Sequence, residues 1–292
     1  MKERFTFMCV GVQKAGTSTF HDLMNQHPAL HLPKYKETHF FRDDEKYRKG
    51  LDFYFSFHFH PSEEGMLAEI NPEYSYFPVC AERISENLGT IKIIFILRNP
   101  VERAYSHYKM TQSRGLESLD FISALEKEAT RLNTAFDHIN FSYISRGKYI
   151  SQIERFENTF GKENVKVFLF EELIQNPEAI VKSTIEFVGL PAFEFDYSTK
   201  SNVASEPNSK LVRDFVYKPN KLKKAIGKLI PSKALKDKIM VGLANMNKKP
   251  AASKPLSTEL KRQVYDTYFR EEVSALEQKL QKDLSSWKYG AS

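Results

Sequence analysis

The segment from Phe5 to Met24 constrains this chain more than any other. Phe5-Thr6-Phe7-Met8-Cys9-Val10 is an apolar run of strand length, Gly11 to Gly16 is a turn bounded by glycines, and Thr17 onward reads as a helix start. Such a turn aims several backbone N–H groups and a helix N-terminus at one anion. The pattern is nearly G-x-x-x-x-G-K-[ST]. Gly11 and Gly16 have that spacing and Ser18 holds the hydroxyl position, but Thr17 stands where the phosphate-gripping lysine belongs. The lysine lies three residues earlier, at Lys14. A phosphate cradle with its cation moved forward suggests an anhydride other than a β,γ-phosphate.

A second segment narrows the reading. Ile91-Lys92-Ile93-Ile94-Phe95-Ile96-Leu97 is β-branched and of strand length, and it ends in Arg98-Asn99-Pro100. Pro100 suits the first turn of a helix, where the N–H it lacks would be unpaired. Arg98 then falls at the carboxyl end of a strand, with Ser106 about two turns into the next helix. A guanidinium there can hold a phosphate bidentately, and a hydroxyl can add a further hydrogen bond.

With both segments in view, the chain resembles the PAPS-dependent sulfotransferases (PAPS is 3′-phosphoadenosine 5′-phosphosulfate), most closely the branch of heparan sulfate sulfotransferases and their bacterial relatives. Residues 11–19 are similar to that family's 5′-phosphosulfate loop, and 97–108 to its 3′-phosphate motif. Lys-Glu-Thr-His-Phe-Phe (36–41) is similar to its acidic segment before His-Phe-Phe, and Arg146-Gly147-Lys148-Tyr149 and Phe170-Glu171-Glu172-Leu173 fall at the expected later positions. The resemblance implies that Lys14 meets the bridging oxygen and leaving phosphate. The loop Lys14, Ala15, Gly16, Thr17, Ser18 and Thr19 would hold the phosphosulfate, and Arg98 with Ser106 the 3′-phosphate. It implies Glu37 as general base, with His39 as the competing base or as the group that orients Glu37 or the acceptor. A salt bridge of Glu37 with Lys34 or Lys36 is the plainer alternative. Two departures stand out. Glu69-Ile70-Asn71-Pro72 replaces the Glu-Lys-Thr-Pro common in the glycosaminoglycan enzymes, so their active-site lysine is Ile70 here. The family's late Lys-Gly-Arg nucleotide loop has no match, and Ser201-Asn202-Val203-Ala204 occupies its approximate place.

Charge and composition agree with an anionic ligand. Forty-three basic against 37 acidic residues leave a net charge of +6, while 41% hydrophobic and 13% aromatic residues provide for a sizeable core. No nucleic-acid module is present, so nucleic acid is not expected as a partner. The two cysteines, Cys9 and Cys80, lack disulfide or zinc spacing. His58-Phe59-His60 has metal-like spacing without further ligands and reads as aromatic packing. No run approaches the roughly 20 apolar residues of a spanning helix, and the N-terminal run leads directly into the loop as a strand, so a cytoplasmic location is expected.

Along the chain, strands are expected at 5–12, 66–70, 91–97 and 165–170, and helices at 17–27, 77–88, 100–113, 118–132, 145–160, 177–188 and 209–217. Residues 29–65 read as irregular, aromatic and charged. The alternation predicts an α/β fold of the P-loop NTPase-like, three-layer kind, a central mostly parallel sheet flanked by helices, with ligands beyond the carboxyl ends of the strands. One sulfotransferase domain is expected over 1–292. It comprises a nucleotide-binding core (1–200), a basic variable segment or lid (201–255), and a long amphipathic C-terminal helix packed on the core (256–292). The lysine-rich stretch 218–249 is either a solvated surface or a contact for an acidic or membrane-associated acceptor.

The function expected is transfer of a sulfuryl group from PAPS, as co-substrate and without a metal, to a hydroxyl, foremost of a saccharide. An acyl chain, a lipid or a small natural product is the alternative acceptor. A P-loop kinase-like enzyme is the alternative class; Arg98-Asn99, where a metal-binding aspartate would be expected, and Thr17 argue against it. A scaffold with a degenerate loop would have no need of Lys14, Glu37, Arg98 and Ser106 together.

Overall fold

The apolar runs that read as strands pair into one sheet. The computed structural model describes residues 1–60, 64–198, 205–207, 209–217, 242–243, 248–250 and 255–289. Strand β1 (Phe5–Gly11) leads into α1 (Thr17–Met24) and the two-residue β2 (Leu30–His31). Helices α2 (Asp44–Tyr47) and α3 (Gly50–His58) precede β3 (Met66–Ile70), which is followed by α4 (Val79–Leu88), β4 (Lys92–Leu97) and α5 (Pro100–Ser113). Short helices α6 (Phe121–Glu126), α7 (Glu128–Arg131) and α8 (Ala135–Asn140) come before α9 (Tyr149–Phe160), β5 (Val165–Leu169), α10 (Phe170–Gln175) and α11 (Pro177–Val188). The remaining described elements are β6 (Ser205–Pro207), α12 (Lys210–Tyr217), β7 (Lys248–Pro250), α13 (Thr258–Val264) and α14 (Arg270–Leu280).

Five strands form a wholly parallel sheet in the order β2-β3-β1-β4-β5. Phe7 to Val10 and Ile93 to Leu97 are fully buried, as expected of central strands covered by helices on both faces. Chain order reverses at β1: β3 lies on one side of it and β4 on the other. A doubly wound sheet opens its binding crevice at such a reversal. The N–H of Val12 donates to the Ile96 carbonyl at 2.9 Å, so the loop after β1 and the Arg98 turn after β4 share that edge. Gly11 belongs here for steric reasons. Asn71 and Ser75 donate their N–H groups to Cys9 and Val10 at 2.8 Å each, and a Cβ on Gly11 would meet Ser75 Oγ at 2.6 Å.

The described residues fall into two compact units. The first comprises Met1–Arg103, Arg146–Asn202 and Tyr265–Ser292, and holds the sheet. The second comprises Ala104–Ser145 and Val203–Val264. It holds the buried carboxylate of Glu117, which receives two hydrogen bonds from Arg131 (3.2 and 2.6 Å), one from Tyr143 (2.9 Å) and the N–H groups of Ser118 and Leu119 (3.1 Å each). The antiparallel pair β6–β7 is also part of this unit.

Several sequence expectations change. The helix expected over 118–132 is divided into α6 and α7, and neither α8 nor β2 was expected. Residues 29–65 are not irregular throughout, because α2 and α3 form there. Aromatic residues at nearly every position from Phe53 to Phe59 hide the helical period, while only Tyr54, Phe55 and His58 of α3 turn fully inward. The C-terminal helix is not continuous either: α13 runs into a π turn at Tyr265–Phe269, and α14 ends at Leu280 before the left-handed Gln281. A π turn frees a carbonyl from the helical ladder. Lys148 takes the Tyr268 carbonyl, Phe269 packs where a Cβ on Gly147 would meet its ring at 2.7 Å, and Glu272 caps α9 by accepting the Ile150 N–H at 2.8 Å. Residues 201–204 and nearly all of 218–249 lie outside the described residues. Among the described residues no helix is long and apolar enough to cross a membrane.

Candidate active site

The loop from Val12 to Gly16 closes as a tight turn. Ala15 is buried and returns its N–H to the Val12 carbonyl (3.3 Å), while Gly16, at φ +79°, stands at the N-cap of α1. A Cβ on Gly16 would meet the Phe170 ring at 2.8 Å, so both its conformation and its neighbour require glycine. Among the described residues no side chain caps α1. The first-turn N–H groups of a helix have no intrahelical partner and favour an anion. Thr17 is buried and Ser18 half-buried on that turn. Lys14 has φ +72°, a conformation that costs a non-glycine residue about 1–2 kcal/mol.

Arg98 binds the same loop from β4. Its guanidinium donates to the Lys14 carbonyl at 3.1 Å and lies over the Phe170 ring, 4.7 Å from the centroid. Its own carbonyl accepts the Tyr149 hydroxyl at 2.7 Å, and burial raises that phenol's pKa, which keeps it a donor. Asn99 Oδ1 caps α5 through the N–H of Val101 (3.0 Å), and its amide donates to the Trp287 carbonyl (3.3 Å) and Tyr289 hydroxyl (3.0 Å). Arg98 therefore projects from a turn braced on both sides. Ser106 lies two turns into α5 and belongs to the second unit.

The segment after Pro33 is shaped differently. Glu37 (φ +63°) and His39 (φ +55°) are both left-handed, with buried Thr38 between them. Strained non-glycine conformations persist only where surrounding contacts impose them. Here the contacts come from Glu69, fully buried near the end of β3. Glu69 Oε1 receives the Thr38 N–H (3.1 Å), the Thr38 hydroxyl (2.7 Å), the Asn71 amide (3.0 Å) and the Tyr74 hydroxyl (3.1 Å). Its Oε2 receives the Tyr54 hydroxyl at 2.7 Å. These donors satisfy a carboxylate that burial would otherwise penalise heavily. Burial, reinforced by Glu69, holds the phenols of Tyr54 and Tyr74 well above their ordinary pKa, so both remain donors.

A second buried carboxylate, Glu73, gathers the groups beside His39. Its Oε2 lies 3.4 Å from His39 Nδ1 and 3.0 Å from Arg42 Nε, and its Oε1 lies 3.4 Å from the Gln13 amide and 3.7 Å from the Arg146 guanidinium. Gln13 ties this cluster to the donor loop. Burial lowers the His39 pKa, and Arg42 and Lys46 add to that, against the opposing pull of Glu73 and Glu37. Burial thus favours the neutral imidazole of His39, whose Nε2 lies 3.9 Å from Glu37 Oε2.

One side chain joins the two halves. Lys36 Nζ donates to Ser18 Oγ at 2.9 Å and to Glu37 Oε1 at 3.2 Å. The hydroxyl expected to hold the donor and the carboxylate expected to act as base thus meet through a single ammonium. The salt bridge weighed for Glu37 does exist, with Lys36. The structure brings together Lys14, Ala15, Gly16, Thr17, Ser18, Thr19 and Arg98 on one side and Glu37 and His39 on the other. Sequence reasoning missed the roles of Glu69, Glu73, Gln13, Arg42 and Arg146. One signal was present: a lone carboxylate in the apolar run Met66–Ile70 must be buried and partnered. His58, of the His58-Phe59-His60 run, is buried among Phe53, Tyr54 and Phe57.

The arrangement suits an anionic ligand. It has a glycine turn before an uncapped helix start, a braced guanidinium at the adjacent strand end, and a carboxylate one ammonium away.

Comparison with known proteins agrees. The profile of the family described as "Sulfotransferase domain" matches residues 6–233. Heparan sulfate glucosamine 3-O-sulfotransferase 5 of Homo sapiens is 28% identical over 187 residues, covering 62% of this chain and 52% of that protein. Bifunctional heparan sulfate N-deacetylase/N-sulfotransferase 2 of Homo sapiens is 28% identical over 197 residues, covering 64% of this chain and 22% of that protein. The chain thus spans about half the length, or less, of these curated relatives. Among solved structures, the sulfotransferase from Alicyclobacillus acidocaldarius aligns with a TM-score of 0.63 at 25% identity over 97% of this chain and 98% of that one.

Proposed function

This chain belongs to the sulfotransferase domain family, and from that premise we propose that it moves the sulfuryl group of PAPS to an acceptor hydroxyl. The observation that carries the proposal is the link Ser18–Lys36–Glu37, which sets a donor-holding hydroxyl and a base within one side chain's reach. PAPS, as co-substrate, supplies an activated sulfuryl group on a phosphate leaving group. The chain's own residues do the rest. The N–H groups and hydroxyls of the first turn of α1 bind the phosphosulfate, and Lys14 neutralises charge developing on the leaving phosphate. Arg98 takes the 3′-phosphate. Glu37 accepts the proton of the acceptor hydroxyl. His39, adjoining both Glu37 and Glu73, orients the base.

The acceptor we assign is a carbohydrate hydroxyl, a reading supported by relatives named for heparan sulfate glucosamine. Ile70 is buried in β3 where the glycosaminoglycan branch carries lysine, which sets this acceptor apart from heparan sulfate itself. Tyr35, 56% exposed beside Lys36, offers a stacking face for a sugar ring.

Calorimetric titration with 3′-phosphoadenosine 5′-phosphate (PAP), beside ATP with magnesium, tests the donor. Tight PAP binding with weak ATP binding is expected. Preference for ATP with magnesium would reject the donor assignment and favour a kinase-like enzyme.

A further inference from the structure

We propose that Lys36 is a further catalytic residue, whose ammonium binds the peripheral oxygens of the sulfuryl group during transfer. The inference rests on the donor reading above and deepens it. Its basis is position. Lys36 Nζ lies 2.9 Å from Ser18 Oγ, on the turn of α1 assigned to the phosphosulfate, and 3.2 Å from Glu37 Oε1, the assigned base. A cation within hydrogen-bond reach of both lies between the donor-holding turn and the group that removes the acceptor proton.

An ammonium has three donors that rotate freely about a flexible stem. Two are engaged by Ser18 and Glu37, which leaves a third to turn toward an anion on the same turn. Lys14 and Arg98 are committed elsewhere in this scheme, to the leaving phosphate and the 3′-phosphate. Neither accounts for the three oxygens that remain on sulfur. In the transfer, the acceptor oxygen bonds to sulfur and the bridging S–O bond breaks. Its electron pair passes to the 5′-phosphate, and the acceptor proton goes to Glu37. Lys36 offsets the charge spread over the peripheral oxygens throughout, and its contact with Glu37 keeps the base aligned with them.

The test separates the sulfuryl group from the nucleotide. PAP and PAPS differ only by that group, so their affinities are measured by titration on wild-type protein, Lys36→Met and Lys36→Arg, without acceptor. Lys36→Met should bind PAP within about threefold of wild type but lose roughly tenfold or more of its PAPS affinity, with kcat falling at least as far. Lys36→Arg should recover part of the PAPS affinity. An unchanged PAPS-to-PAP ratio in Lys36→Met would overturn the proposal. Equal losses for both ligands would also overturn it, by assigning Lys36 to the shape of the loop. If wild-type protein failed to bind PAP at all, the donor reading would fall and this assignment with it.

Discussion

The donor loop and the base segment meet at Lys36, yet they are built in opposite ways. The loop is contiguous: residues 11–19 form a strand end, a glycine turn and an uncapped helix start, and in the proposed scheme the backbone supplies most of the binding groups. The base segment, residues 34–43, has little regular structure of its own. Its two left-handed residues are held by carboxylates about thirty residues away, Glu69 through Thr38 and Glu73 through His39 and Arg42. A cradle made of backbone tolerates side-chain change but not a change of backbone conformation. A site held by buried side chains has the opposite sensitivity.

The substitution expected to act most strongly on the loop is therefore Gly16→Ala. It forces a methyl group into a left-handed position and against Phe170, on which Arg98 also rests. We expect a loss of roughly 2–4 kcal/mol in stability by denaturant melts, together with a sharp fall in PAP affinity. Arg98→Ala comes next. Loss of its charged hydrogen bonds should weaken PAP by roughly 10- to 100-fold in titration, with the fold intact.

Thr38→Val probes the other region. It keeps the shape of the side chain but removes the hydroxyl bond to Glu69. We expect kcat to fall about tenfold and PAP affinity to hold, with Thr38→Ser restoring turnover. Loss of PAP binding in Thr38→Val would break the comparison, since the regions would then not be separable. The smallest effect concerns His58, whose carbonyl accepts the Lys34 N–H at 2.8 Å at the start of the base segment. Burial pulls its pKa down to about 4 from an ordinary 6.5, and neither ring nitrogen has a hydrogen-bond partner among the described residues. Because its folded pKa is depressed, its contribution to stability is present above about pH 6.5 and fades as pH falls toward 4. His58→Phe should flatten that part of a stability–pH curve and leave pH 7 nearly unchanged.

The same contrast explains what could be read in the sequence. Four of the five strands of the parallel sheet, the loop and Arg98 were legible because each rests on local pattern: β-branched runs, glycine spacing, and proline after a strand; the two-residue β2 falls in the segment read as irregular. Glu37 and His39 were legible only through their resemblance to a family motif, since no local rule requires two left-handed residues around Thr38. Lys36 was read merely as an ion-pair partner of Glu37; its bond to Ser18 needs the fold that brings α1 beside the base segment. The Glu73 cluster joins residues 13, 39, 42, 73 and 146, and no spacing rule connects positions so far apart. In the C-terminal segment the expectation of an amphipathic helix was correct in kind, but the π turn within it answers to Gly147 and Lys148, which a local pattern does not register.

The central claim is that donor binding resides in the loop with Arg98 and chemistry in the base segment. The most direct test measures PAP affinity and PAPS-dependent turnover on one preparation of Glu37→Gln beside wild type. The account predicts PAP binding within about threefold of wild type and a loss of roughly 10²- to 10⁴-fold in kcat. Near-normal turnover would contradict it and transfer the base to His39, and a collapse of PAP binding would show that the two regions do not divide the work.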